Sequence, residues 1–484
     1  MDITFRELLA LIISAVAIIY YIGVILFIIS DDRSTDTTMT WLIVLLFLPV
    51  VGIVLYYFLG KNYRNDTSRL QRRMRVAQKR RQKIFPVAHA PYAAYMKQFR
   101  KNTSDPDIVT TTQLIERNND CTVLPAETVT LYEDGQEFFD RLKYQLINAK
   151  EYIHIMYFIW EKDTLTRELT DILLAKLRDG VEVRLLYDAL GSIMYGKSEL
   201  KELRAAGAHI AADNTAIYLL NFRNHHKITV VDGRVAFTGG HNIGQEYIDG
   251  GKKYKSWRDT SVEITGPALL DLQDIFALRW FLKTGEDIYT KTYFPSIPVP
   301  IKATPVQMTH SSVDLKWETI KQVYLKLILS ANERVYIQTP YFIPDQTLLD
   351  ALVTAGLSGV DVQIMMTGVP DKKVPWWAGK AYFRKPLEAG VKIYMYDTGF
   401  FHVKTVLVDD TVLSVGTMNF DMRSFNLQKE NTCLVYDEQI IKQHLVTYSE
   451  DLKACSTFTL DDYRALHPVA KLRNALCKVP SRLF

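Results

Sequence analysis

The 484 residues include only four cysteines, Cys121, Cys433, Cys455 and Cys477, all far apart. That scarcity excludes a disulfide-dense secreted scaffold and any C-x-x-C metal site, and predicts buried, reduced thiols. An excess of one charge sign is also missing: 58 Lys and Arg against 54 Asp and Glu leave +4. With 48% apolar and 23% charged residues, the chain lacks the low hydrophobicity and high net charge of a disordered protein. Long apolar runs are few and confined to the first 60 residues, which argues against a polytopic transporter. At about 100–200 residues per domain, the length predicts two to four units with sizeable cores.

The apolar runs that do occur are informative. Residues 8–29 carry no charge, and neither do residues 40–60, where Trp41 stands near one end and Tyr56-Tyr57 near the other. Each run exceeds the ~18 residues that mark a membrane-spanning helix, and the aromatics suit the two interfaces. Pro49 and Gly52 are tolerable there as a kink. A two-helix transmembrane hairpin over residues 1–60 is therefore expected rather than a cleaved signal peptide.

Residues 61–83 then hold ten Lys and Arg (Lys61, Arg64, Arg69, Arg72, Arg73, Arg75, Lys79, Arg80, Arg81 and Lys83) against one acid, Asp66. The short loop between the runs holds Asp31, Asp32 and Asp36 against Arg33. The positive-inside rule puts the large C-terminal part in the cytoplasm, and the basic run is expected to attract anionic lipid headgroups. Residues 61–120 read as a basic juxtamembrane linker. The bland total hides a division: −3 over residues 1–60, +9 over 61–83 and −2 over the rest. The acidic remainder gives no support to a nucleic-acid partner.

Beyond residue 120, short β-rich runs alternate with amphipathic segments, as in α/β domains. A strand over 151–160, a helix, and a strand from Gly180-Val-Glu-Val recur as a strand over 334–343, a helix, and a strand from Gly359-Val-Asp-Val. Two copies of one plan point to a duplicated domain rather than a solenoid. The expected division is 121–300 and 301–484.

Each copy carries the same chemical set. The first has His225-His226-Lys227 with Asp232, then Gly239-Gly240-His241-Asn242; the second has His402-Val403-Lys404 with Asp409, then Gly416-Thr417-Met418-Asn419. Both read His-x-Lys-x4-Asp, with a Gly seven residues past the Asp and an Asn seventeen past the His. One such His-Lys-Asp spacing is expected about 0.04 times by chance, so two copies with matching Gly and Asn are no accident.

On a strand, His and Lys two residues apart share a face, and Asp232-Gly233 or Asp409-Asp410 makes the following turn. The return strand carries Asn242 or Asn419 back beside the pair. Each half thus offers one imidazole, one ammonium and one amide, a set suited to a phosphodiester: the His attacks phosphorus or protonates a leaving oxygen while Lys and Asn hold the other oxygens. Each Asp has the opposite parity to its His, so its expected role is structural. A zinc site from His225, His226 and His241 is disfavoured because the second half lacks matching histidines. The other six histidines have no partner spacing and read as packing or surface residues.

These motifs resemble the paired HKD signatures of the phospholipase D superfamily, and over nearly the whole chain the resemblance is to bacterial cardiolipin synthases. It is carried by the apolar N-terminus and by Arg223-Asn-His-His-Lys227, Trp257-Arg-Asp259 and Gln338-Thr-Pro-Tyr-Phe-Ile-Pro-Asp345. Gly399-Phe-Phe-His-Val-Lys404, Gly416-Thr-Met-Asn-Phe-Asp421 and Arg423-Ser-Phe425 complete it. The resemblance implies two α/β/α domains related by a pseudo-two-fold axis, with both motifs in one cleft.

It also implies an anionic lipid substrate, phosphatidylglycerol, and a reaction needing neither metal nor cofactor, in a bacterial cytoplasmic membrane. One phosphatidylglycerol passes its phosphatidyl group to a second, giving cardiolipin and glycerol. His225 is then the nucleophile and His402 the acid, and an acidic residue downstream of each motif orients its own His: Asp259 for His225 and Glu430 for His402. Two places depart from the family pattern, His310-Ser-Ser312 and Gln428, and neither touches the His-Lys-Asn sets. The rival reading is a membrane-bound phospholipase D that passes the phosphatidyl group to water or another alcohol. A nuclease and a catalytically dead scaffold are further alternatives. Trp376-Trp377 reads equally as an interfacial lip or as core, and the segment 472–484 mixes apolar and basic residues as if to touch a membrane. Oligomeric state is left open.

Overall fold

A computed structural model describes residues 4–30, 35–56, 60, 68–193, 196–215 and 221–481. The loop charges Asp31, Asp32 and Arg33, together with Tyr57, Lys61, Arg64 and Asp66, lie outside them. The chain divides into two units, an N-terminal one ending at Arg69 and a larger one that holds nearly all the rest.

In the first unit, Phe5–Ser30 is one helix of 26 residues with apolar side chains turned outward. At 1.5 Å per residue it extends about 39 Å, more than a bilayer's hydrocarbon core. It is the one helix among the described residues long and apolar enough to cross a membrane. The second apolar run does not form one span of that length. It is split into Thr35–Phe47 and Pro49–Leu55, with Leu48 off the helical path at φ −133°. The ring of Pro49 disfavours helical geometry in the residue before it, which accounts for the break. The pieces still pack on the first helix: Tyr21 Oη donates to the Leu45 carbonyl at 2.7 Å, and Ile28, Leu45 and Tyr56 share a small core.

The stretch expected as a linker is instead largely helical and built into the larger unit. Ser68–His89, Ala93–Asn102 and Pro106–Asn119 are helices. Several of the basic side chains are spent on that unit rather than held free for lipid. Arg73 donates to the Leu282 carbonyl, Arg80 pairs with Asp287, and Arg81 binds buried Asp274 and exposed Asp120.

The larger unit holds two sheets of matching order. One runs Val129–Tyr132, Ser261–Thr265, Val235–Gly239, Ile228–Val231, Tyr152–Tyr157, Glu182–Asp188, His209–Asp213. The other has the equivalent series Thr304–Ser311, Glu430–Val435, Val412–Gly416, Thr405–Val408, Arg334–Gln338, Asp361–Thr367, Lys392–Tyr396. It is extended at its ends by Leu124–Ala126 and Cys455–Phe458. The strand before each crossover helix pairs parallel with the strand after it, Tyr152–Tyr157 with Glu182–Asp188 and Arg334–Gln338 with Asp361–Thr367. The motif hairpins add the antiparallel part.

Alternation along the strands sorts side chains to two faces. Ile153 and Ile155 meet the helices Gly135–Ile147 and Thr164–Arg178, while Met156, Ile228 and Val230 face a core shared with Leu407, Leu413 and Val415 of the other sheet. The helix Leu269–Thr284, buried nearly all round, fills that shared core. The two sheets therefore stand face to face, with the other face of the second sheet covered by Thr319–Ser330 and Gln346–Leu357. Of the cysteines, Cys121 and Cys433 are buried and Cys455 and Cys477 are only half-buried; all four are free thiols.

Candidate active site

The two motifs meet through a crossed backbone arrangement. The chain before His225 runs beside the chain before Glu430: His225 N donates to the Lys429 carbonyl at 3.0 Å, and Lys429 N returns to the Arg223 carbonyl at 2.9 Å. The chain before His402 likewise pairs in parallel with the chain before Asp259. Phe400 faces Trp257, Phe401 faces Arg258, and His402 N donates to the Arg258 carbonyl at 2.8 Å.

Each carboxylate is thereby delivered to the other half's histidine, which corrects the pairing expected from the sequence. His225 Nδ1 lies 3.0 Å from Glu430, and His402 Nδ1 lies 2.6 Å from Asp259. Both carboxylates are fully buried. With Nδ1–H donated to a carboxylate, Nε2 of each ring keeps its lone pair, the arrangement a nucleophile or proton carrier needs.

The carboxylates are seated differently. Gly240 and Thr417 occupy equivalent places after the return strands, their backbone N–H groups donating to the carbonyls of Thr260 and Asn431. A Cβ at Gly240 would come within 1.8 Å of Asp259 Oδ1, so only glycine leaves room for that carboxylate. Thr417 instead donates its hydroxyl to Glu430. The sequence pairs these two positions by spacing but carries no sign of their contacts.

Lys227 and Lys404 are almost wholly buried, and each donates to the backbone carbonyl of its own histidine, leaving two ammonium protons for a ligand. Burial pushes Lys227 down to about 7 against the pull of Glu430, and Lys404 down to about 8 against Asp259 and Glu430. Burial, with Lys227, Lys404 and His402 adding to it, holds His225 well below the ordinary histidine range. Burial and Lys404 bring His402 down to about 4 despite Asp259. Burial acts to raise Asp259, but Lys404 and His402 outweigh it and hold the carboxyl below its usual range; for Glu430 burial wins over Lys227 and the group rises. The site thus sets two imidazoles biased toward the neutral form among cations, a field that favours an anion.

Asn242 is partly committed to the frame: its carbonyl oxygen accepts from Ile159 N at 3.3 Å and its amide donates to Tyr247 Oη at 2.9 Å. Asn419 is buried with Oδ1 lacking a hydrogen-bond partner. Asp232 and Asp409 sit at the far ends of the motif strands with φ of 54° and 50°. Asp232 accepts from the backbone N–H groups of Lys150, Glu151 and Tyr152 at 2.7–2.8 Å, and Asp409 from those of Asn332, Glu333 and Arg334 at 2.8–3.0 Å. These aspartates clamp the starts of the two central strands.

Aromatic rings line the histidines, Phe158 edge-on to His225 at 4.8 Å and Trp257 beside His402 at 5.3 Å. Sequence reasoning gave Phe158 no part, since an isolated aromatic has no spacing signal. His226 turns instead to Asn431 and His241 to Ser261, so neither joins His225 in a metal cluster.

Comparison with known proteins shows the family. A family described as cardiolipin synthase, PLD-like domain matches twice, at residues 142–270 and 324–452, and a family described as phospholipase D-nuclease N-terminal matches residues 12–61. The major cardiolipin synthase ClsA of Bacillus subtilis is 38% identical over 91% of this chain and 92% of its own length. The chain belongs to the cardiolipin synthase family. A cardiolipin synthase of Staphylococcus aureus is also 38% identical, over 90% of this chain and 88% of its own, and one of Clostridium perfringens 34% identical over 94% and 95%. The fold of this family member also matches a crystal structure of Haemophilus influenzae phosphatidylserine synthase, at TM-score 0.60 and 18% identity, covering 78% of this chain and all of that one.

Proposed function

We propose that this protein is a membrane-anchored phosphatidyltransferase that makes cardiolipin and glycerol from two molecules of phosphatidylglycerol. The observation that carries the reading is the crossed set of two His–carboxylate pairs with two buried lysines, in a chain that follows bacterial cardiolipin synthases over nearly its full length. The catalytic part is built on two duplicated domains, 121–300 and 301–484, against which the helices Ser68–His89 and Pro106–Asn119 pack. The anchor passes the membrane twice, and the catalytic part faces the cytoplasm; the packing of Tyr21 against Leu45 and the basic run after residue 60 support that topology.

His225 Nε2 attacks phosphorus. The bond to the glycerol oxygen breaks, and His402 supplies the proton that leaves with it. The phosphatidyl group then rests on His225. A hydroxyl of the second phosphatidylglycerol gives its proton to His402 as its oxygen attacks phosphorus and the P–N bond breaks. Lys227, Lys404, Asn242 and Asn419 stabilise the anionic oxygens. His402 must start protonated, although its burial and Lys404 lower it. The phosphodiester itself remedies this, since a negative charge set among these groups raises nearby imidazoles. The difference between the partners supports the roles: His402 lies against the ionised Asp259 and gains a proton more readily than His225 beside the raised Glu430.

The test is product separation by thin-layer chromatography after incubation with phosphatidylglycerol alone. Cardiolipin and glycerol are expected from the wild type and neither from His225→Ala. Phosphatidic acid without cardiolipin would replace the reading with that of a hydrolytic phospholipase D. Acid-quenched enzyme carrying label only on His402 would reverse the two roles.

A further inference from the structure

The helix Pro468–Lys478 keeps much of its apolar surface turned away from the protein. Its inward side is mixed: Asn474 is buried, half-buried Cys477 packs on the core of the second sheet, and Arg473 lays its guanidinium 4.3 Å from the ring centre of Trp377. Its outward side carries Val469, Leu472, Leu476 and, one residue past its end, Val479, exposed by 67%, 60%, 61% and 80%. Steps of three, four and three residues put these on one stripe. The neighbouring helix Lys373–Lys380 adds exposed Val374. Its two tryptophans divide the work. Trp376 is anchored inward, its Nε1 donating to the Thr367 carbonyl at 3.0 Å, while Trp377 meets the terminal helix.

Charge decides what this stripe fits. Residues 468–481 include Lys471, Arg473 and Lys478 and no acid. Lys478 Nζ stands 4.1 Å over the Tyr382 ring, and Lys372 and Lys373 are exposed at the head of the adjoining helix. An apolar stripe edged by cations complements a surface of acyl chains under anionic phosphates. A second copy of this chain would bring like charges together with no acid on the helix to pair them.

We propose that Pro468–Lys478 is a second, monotopic membrane contact, lying flat on an anionic bilayer with its stripe below the phosphates and its lysines among them. It rests on the reading of the substrate as a membrane lipid only for its purpose, which is to hold the catalytic unit at the surface where that lipid lies.

The test uses the full chain reconstituted in phosphatidylcholine vesicles with or without phosphatidylserine, an anionic lipid lacking the glycerol headgroup. Hydrogen exchange over residues 468–481 is expected to slow about ten-fold with phosphatidylserine, and to lose that protection in a Leu472→Glu/Leu476→Glu variant. Both positions are exposed, so the fold is retained. On phosphatidylglycerol the variant is expected to raise the surface-concentration KM about five-fold at unchanged kcat. Equal exchange in both vesicles would overturn the proposal, as would protection in detergent that grows with protein concentration, the mark of a second copy. Lipid-dependent protection without any phosphatidyl transfer would uphold the docking and remove the transferase reading.

Discussion

Replacing Asp259 by asparagine preserves the shape of the site and removes one buried negative charge. The carboxylate is wholly buried and 2.6 Å from His402 Nδ1. For charge centres about 4 Å apart at an effective dielectric of about 20, an imidazolium at His402 loses about 4 kcal/mol of attraction. That is about three pKa units, or about 10³-fold in any step that needs His402 to carry the proton. The crossed pairing sharpens this into a test of wiring. A phosphatidyl ester of nitrophenol has a leaving group that departs without help from an acid. Release of nitrophenolate in the first turnover then reports only the attack by His225.

Asp259→Asn is expected to be about 10³-fold slow on phosphatidylglycerol, yet within about ten-fold of wild type on the activated ester. Glu430→Gln, which weakens the partner of His225, is expected to be equally impaired on both. The reverse pattern, with Glu430→Gln rescued and Asp259→Asn not, would refute the roles derived from the crossed contacts. An equal deficit of Asp259→Asn on both substrates would show that its charge does not act through a proton on His402.

Lys227, brought down to about 7, loses its charge as pH rises through that value, so kcat/KM is expected to fall on the alkaline side from near pH 7. Lys227→Arg keeps its charge and should move that limb toward the value near 8 set by Lys404, whatever its cost in rate; an unmoved limb in the pH profile would exclude Lys227 as its source. Asp232→Asn leaves one acceptor for three strand-start N–H groups and is expected to destabilise the fold by about 2 kcal/mol while kcat of the folded protein stays within about three-fold. Thermal unfolding and kcat are read together, and a hundred-fold loss of kcat at unchanged Tm would give this residue a chemical role instead.

Much of the site was legible because its logic is local. His225 and Lys227, and His402 and Lys404, are joined by a two-residue step, and Asp232 and Asp409 by the turns after them. Those aspartates were readable as structural from parity alone, and they do clamp neighbouring strands. The anchor was legible only in part. Its composition marks two apolar runs, but the effect of Pro49 on Leu48 divides the second into two shorter helices. The basic stretch was legible only in part for a different reason: a charge run looks the same in sequence whether its members stay exposed, like Arg72 and Arg75, or, like Arg81, meet a buried Asp274.

By itself the sequence determined that there are two equivalent His-Lys-Asn sets on an α/β duplication behind an apolar segment. Those facts depend on spacing within a strand and its hairpin, which few residues suffice to specify. Only the tertiary structure decided which carboxylate serves which histidine. Asp259 is 34 residues past His225 and Glu430 is 28 past His402, separations that say nothing of space. The choice was made when the chain before each histidine paired with the chain before the other half's acid, which joins residues 205 apart for His225 and Glu430 and 143 apart for His402 and Asp259. The outward stripe of the last helix belongs to the same class of fact. Periodicity shows that Leu472 and Leu476 share a face, but only packing shows that the face looks away from the protein.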